Sequence, residues 1–521
     1  MEPVAQTNAL TLDQKINEAF KPAAEWWEGV VFYPEPFTGY NIPIVVILLV
    51  LGALFFTLYF AFINVRRFPL AIDVVRGKYD EVEKHRTVPM VSGEKVDIPN
   101  TIKDEGHHGE VSHFQALATA VSGTVGLGNI AGVAIAISLG GPGATFWMIV
   151  CGLLGMSMKF VECTLGVAYR EVNSNGTVYG GPMYYLSKGL AQFGPLGGIF
   201  GKFLAGLFAI LCVGGSFGGG NAAQANQAAS QIANELGLSG GYVGTSIGVV
   251  LAIVVGIVII GGIKRIASVT EKVVPFMALL YILACLYIIF ANFSYIDDAF
   301  GQIITQAFTP EAGVGGFFGV LIIGFRRAVF SNEAGAGSAS IAHSAVRTKY
   351  PASEGIVALL EPFIDTVIIC TMTALVVIIY NSTGVFEYGT AEVVIDGKTV
   401  NGSVLTSLAF GSAISWFPTV LTVCIVLFAV STMISWSYYG LQAWVYLFGR
   451  SQVSELIYKT LFCIFIVIGA AANMSAVWGF SDAMILAMVF PNVIGLFLLF
   501  PKVKQELNIY LDAINVKRFF K

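Results

Sequence analysis

Residues 122–134, "SGTVGLGNIAGVA", sit inside a long apolar run yet carry Gly123, Gly126, Gly128, Gly132 and Asn129. Glycine is a poor helix former, so the stretch reads as a membrane helix interrupted part-way across. In hydrocarbon, each unwound backbone N–H or C=O is costly unless something satisfies it. The N–H groups where a helix restarts can hold a carboxylate, aided by the helix dipole. The carbonyls that end the preceding half can hold a cation. A break at Gly126 and Gly128 therefore offers anion and cation sites side by side, which suits a zwitterionic amino acid with a monovalent ion. The plainer reading is that glycine permits close helix packing, and the rest of the chain decides between the two.

Working outward, the 521 residues are 56% hydrophobic and 12% charged, against about 25% charged in soluble proteins. Mean hydropathy is +0.75. Roughly 20 apolar residues span a bilayer, and eleven such segments follow one another: 42–64, 113–138, 143–168, 203–236, 242–263, 274–296, 314–343, 355–380, 414–447, 456–474 and 476–500. Their continuity excludes the short alternating strands of a membrane barrel. The expected class is an all-α polytopic membrane protein with about 11 transmembrane helices.

Cytoplasmic loops collect Lys and Arg. Eight lie in 65–112, and the connections 169–202, 264–273, 344–354 and 448–455 carry three, three, two and one. The 501–521 tail adds five, whereas the opposite side has only Lys15, Lys21 and Lys398. This alternation predicts a plasma-membrane protein with an external N-terminal segment (1–41), a first transmembrane helix (42–64), a cytoplasmic loop (65–112) and a cytoplasmic tail. The net charge of −4 says little beside this pattern.

Ten spans remain after the first, as 113–296 and 314–500. Five helices in each half force the halves to enter the membrane from opposite sides, giving a 5+5 inverted repeat with its site near the midplane. A Gly-interrupted helix should then open each half. The second opens with "GFRRAVFSNEAGAGSAS" (324–340), as the first does with "TVGLGNIAG". Matching positions favour the functional reading of both breaks.

"GTVGLGNIAGVA", "GGPMYYL", "VFSNEAGAGS" and "SWSYYGLQAW" together resemble the alanine/glycine:cation (sodium:alanine) symporter family over roughly 40–500. That family is similar in core architecture to the LeuT-type fold. The resemblance implies sodium-coupled symport of alanine or glycine. It gives the N–H groups of Leu127 and Gly128 to the substrate carboxylate, and Asn129 with the Thr124 carbonyl to a cation. The Ser122 and Val125 carbonyls, with Ser431 and Thr432, would hold a second cation. A second break near Gly324 and Phe325 would receive the ammonium, and Gln224 would face the substrate. Where many relatives carry Thr, this chain has Leu127.

Other residues are weighed on their own chemistry. Asp365 is ionisable within a span, a functional position by default; it reads as a cation ligand or a proton carrier, with a structural pair to Arg326, Arg327 or Lys159 as the alternative. Asn221 and Gln224 belong to an unusually polar span and face either substrate or a neighbouring helix. Trp436 lies deep in its run, where it would wall off a pocket for glycine- or alanine-sized side chains rather than anchor at the interface. Arg326 and Arg327 reach a vestibule or pair with acids such as Glu333. Lys159 and Glu162, three apart, pair with each other. Glu361 sits near a helix start and favours the dipole. "GGPMYYLSKGLAQFG" (180–194) reads as an amphipathic inner-surface helix, and 386–403 as an external hairpin.

His107 and His108 belong to a solvated loop rather than a metal site. The seven cysteines lie in or beside apolar runs without a CxxC pair and read as packing residues. The N-terminus lacks the pattern of a cleavable signal. No nucleotide-binding loop or hydrolase set is present, so no cofactor beyond the transported ion, no nucleic-acid partner and no enzymatic activity are expected. The partners are a small neutral amino acid, sodium and the lipid bilayer. Proton coupling through Asp365 is the main alternative; a passive channel is the other.

Overall fold

The computed structural model describes residues 11–36, 42–84, 109–173, 176–308 and 316–517. His107 and His108 lie outside them. Seven helices are long and apolar enough to cross a membrane, or eight when the bent pair His113–Thr124 and Gly128–Gly140 is taken as one. Each of the eleven apolar segments contains a helix, but three fall short of a full span. Ile44–Tyr59 and Val243–Ile259 have 16 and 17 residues. Gly316–Asn332 has 17, includes Arg326 and Arg327, and stops at a glycine-rich turn.

The first core helix begins where sequence chemistry sets it. Ser112 accepts from the Gln115 amide while the Gln115 side chain accepts from the Ser112 amide, a reciprocal cap that satisfies two otherwise free donors. The helix ends at Val125 (ψ 86°), resumes in a wide turn over Gly128–Gly132, and continues as Val133–Gly140. The two parts are bent by 50°.

The halves pack through small residues. On helix Gly143–Ala168, a Cβ at Gly155 would lie 2.8 Å from Ala334 Cβ, and one at Gly152 would lie 3.1 Å from Thr366. Close backbone approach of this kind stabilises helix pairs in lipid, where no hydrophobic force drives helices together and van der Waals packing holds them. It docks the second helix of one half against the two opening helices of the other.

Two surface expectations resolve differently. Residues 392–401 do form a hairpin, with Glu392–Ile395 antiparallel to Lys398–Asn401. The segment 180–194 is helical but reaches the surface only at its end: Met183, Tyr184, Tyr185 and Leu186 are buried, whereas Ala191, Gln192 and Phe193 are exposed. Tyr185 hydrogen-bonds Asn492 inside the bundle, and the segment feeds directly into Gly194–Phe217.

Candidate functional site

At the first break the freed amides meet oxygens. Gly126 N–H donates to Asn129 Oδ1 at 3.0 Å, and Leu127 N–H donates to Gln224 Oε1 at 3.0 Å. Gln224 also donates to the Gly219 carbonyl, which ties the break to a second wide turn at Gly218–Ala222. Gly126 is required by space: a Cβ there would sit 2.5 Å from Thr432 Oγ1 and 2.9 Å from Gln224 Oε1. Gly128 faces Phe330 and Ser331.

Helix Phe417–Phe448 runs alongside. Thr432 donates to the Ser122 carbonyl at 2.9 Å, and Ser122 donates to the Ser431 carbonyl at 2.9 Å. Ser122, Ser431 and Thr432 are thus brought together. Thr124 and Val125 are buried beside them, with the Thr124 hydroxyl turned back onto Ala120 and Val121 carbonyls.

Asp365 joins the first break to the helix that opens the second half. It is fully buried and accepts from Asn129 Nδ2 at 2.6 Å, Ser331 Oγ at 2.7 Å and Thr366 Oγ1 at 2.7 Å. No Lys, Arg or His pairs with it among the described residues. The sequence-level partners are engaged elsewhere: Lys159 with Glu361 at 3.0 Å, Arg326 and Arg327 with Asp482. A buried carboxylate is stable only when paired or neutralised, so this position suits a cation.

Several expectations need correction. Helix Gly316–Asn332 is continuous through Gly324 and Phe325, and the second break lies at 333–338. Gly324 is a packing glycine, since a Cβ would lie 2.7 Å from the Ala144 carbonyl, and Phe325 packs near Trp147. The chain turns instead at Glu333 (φ 56°), Gly335 (φ 90°) and Gly337 (φ 85°), a left-handed run that favours glycine. Glu162 pairs not with Lys159 but accepts from Gly335 N–H at 2.8 Å and Asn492 at 2.9 Å. Glu361 is an ion-pair partner rather than a dipole residue. Arg326 pairs with Asp482 and, at 2.8 Å, with Glu28, not with Glu333.

Trp436 lies one turn beyond Thr432 and is 1% exposed. Its indole donates to Glu333 at 2.9 Å and its ring lies against Gly215 and Gly220, so it links the second break to the helix carrying Gln224. Asn221 donates to the Phe462 carbonyl at 2.7 Å, a helix–helix bond. Residues missed by sequence reasoning are Phe330, Ser331 and Trp478. The rings of Phe330 and Trp478 pack at a tilt with centroids 4.8 Å apart, and a Cβ on Gly132 would touch Trp478. The signal for the first two was the "FSNEAGAG" run itself, read about two turns too early; nothing marked Trp478.

A helical bundle whose halves each open on a broken helix, with a buried carboxylate between them, has the LeuT-type fold. The Eremococcus coleocola manganese transporter is similar in fold, with a TM-score of 0.50 and 14% identity over 82% of this chain and 89% of that one. The chain belongs to the sodium:alanine symporter family, whose sequence profile matches residues 31–518. The sodium/alanine symporter AgcS of Methanococcus maripaludis is 38% identical over 466 residues, 89% of this chain and 93% of the relative. The probable sodium/glutamine symporter GlnT of Bacillus subtilis is 32% identical, covering 77% and 78%. The family is one of symporters, not enzymes.

Proposed function

We propose that this chain couples inward sodium movement to uptake of a small neutral amino acid, alanine or glycine. The observation that carries the reading is Asp365, a buried carboxylate without a basic partner among the described residues, set between the helices that open the two halves. Sodium binds at Asp365, Asn129 and the Thr124 carbonyl. A second sodium takes the Ser122 and Val125 carbonyls with Ser431 and Thr432. The substrate carboxylate replaces the oxygen of Gln224 at the amide of Leu127, with that of Gly128 alongside. Its ammonium meets carbonyls of the helix carrying Phe330 and Ser331. Trp436 and Leu127 leave room for a methyl group but little more. Because ion and substrate share one site, each raises the affinity of the other by the same factor. The N-terminus is external and the C-terminus cytoplasmic, as the Lys/Arg alternation supports.

The test is uptake of radiolabelled alanine by proteoliposomes under an inward sodium gradient, then under a proton gradient without sodium. Accumulation with sodium alone is expected. Accumulation driven by protons alone would give the coupling role of Asp365 to a proton. No accumulation under either gradient would overturn the reading.

A further inference from the structure

Away from the two breaks, at the foot of the first core helix, buried ionisable groups form a cluster. His113 Nε2 lies 2.7 Å from Glu83 Oε2, and its Nδ1 contacts Glu354. The other oxygen of Glu354 lies 2.5 Å from His343 Nδ1. His343 Nε2 faces Glu361 Oε2 at 3.6 Å, and neither atom has a hydrogen-bond partner among the described residues. Glu361 Oε1 accepts from Lys159. Groups on the surrounding elements are engaged: Thr348, Ser353 and Tyr510 hydroxyls donate to Glu83, Arg170 donates to the Ser344, Val346 and Thr348 carbonyls, and Glu271 accepts from Gln115.

A carboxylate only accepts, so an imidazole set between two carboxylates satisfies both of them only when each ring nitrogen carries hydrogen. His113 occupies such a position, whereas His343 bonds Glu354 alone. With both rings neutral, the three carboxylates of Glu83, Glu354 and Glu361 would be left with only Lys159 and Arg170 as cations, a net buried negative charge that is unfavourable. The arrangement therefore calls for hydrogen on both ring nitrogens of His113.

We propose that His113, Glu354 and His343 form a proton-binding site that locks the foot of the first core helix, and that a proton leaves when the foot swings away. The foot is the segment His113–Thr124, and the break beyond it supplies the hinge. Undocking takes His113 from Glu83 and Glu354 into water. The imidazolium N–H bond breaks, its electron pair stays on nitrogen, and the proton passes to water; both carboxylates keep their charge and are rehydrated. The docked form binds more protons than the undocked one. Acid pH therefore favours docking, and docking weakens as pH rises past the free imidazole value of about 6.5. Protonation thus gates the cycle without the proton serving as the driving ion.

Two measurements test this. Nitrogen-15 NMR of the full chain in nanodiscs should find at least one of the five histidines as imidazolium at about pH 8. All five neutral would overturn the proposal. In proteoliposomes with equal pH on both sides and a fixed sodium gradient, uptake should rise at least about fivefold from about pH 5.5 to 7.5. His113→Gln should flatten that profile. Glu83→Gln, which leaves His113 its bond to Glu354, should move the rise to lower pH and serves if His113→Gln does not fold. A purely structural cluster would leave the profile the same in every folded variant, and that result would overturn the coupling.

Discussion

The two breaks solve the same problem in different ways. At the first, freed amides are met by side-chain oxygens, Asn129 from the next turn and Gln224 from another helix. At the second, the backbone turns on itself through left-handed residues, and Glu162 and Asn492 pin Gly335 from both sides. Neutral carboxamide oxygens can give way to a carboxylate without leaving a buried charge behind. A turn fixed by backbone conformation cannot exchange partners so cheaply. The first break is therefore built to swap ligands and the second to hold shape.

The largest expected effect comes from filling the first break. Gly126→Val puts side-chain atoms where Thr432 and Gln224 already stand. Overpacking costs about 1–3 kcal/mol, and it falls on the site itself, so alanine uptake should drop roughly a hundredfold. Near-normal uptake would mean that the break is a packing feature. Next is Asp365→Asn, which keeps shape and removes charge. The sodium concentration for half-maximal uptake should rise at least about tenfold, equivalent to ~1.4 kcal/mol. An unchanged sodium dependence would remove Asp365 from the ion site.

Much of the first break was legible because Gly123, Gly126, Gly128, Gly132 and the polar Asn129 crowd into one short stretch of an apolar run. The second was located to the right segment but misplaced, because Gly324 was taken for the unwinding residue when it serves close packing against Ala144. Positive-φ glycines and packing glycines look identical in sequence; only the neighbouring helix distinguishes them. The ion pairs were misread for a related reason. Spacing along one helix suggested Lys159 with Glu162, whereas the three-dimensional partner, Glu361, is 202 residues away. Local spacing counts only when no better partner arrives from elsewhere in the fold.

Gly335→Ala probes the second break and should act on stability rather than affinity. Its φ of 90° is strained for alanine, and a Cβ would lie 2.4 Å from Leu49 Cδ2. The cost should be about 1–3 kcal/mol, read as a lower thermal midpoint with the substrate concentration for half-maximal uptake unchanged. A change in that concentration without loss of stability would show that the second break also exchanges partners, and the contrast would fail.

The smallest effect should come from Glu28→Gln. Glu28 rides on helix Leu12–Val31 and holds Arg326, whose other carboxylate partner is Asp482. Glu28 is 37% exposed, whereas Asp482 is 1% exposed. A half-buried pair with water access to one carboxylate contributes about 1 kcal/mol and is partly weakened by salt, while removing one member of a buried pair leaves a stranded charge. Glu28→Gln should therefore lower the thermal midpoint slightly at low salt and less at high salt, with uptake nearly unchanged. Asp482→Asn in the same assay should cost more at both salt concentrations, because Arg327 is buried with it. If Glu28→Gln instead changes uptake as much as Asp482→Asn does, the N-terminal helix is part of the moving machinery. Shape at the second break would then depend on a clamp from outside the repeats as well as on its own glycines.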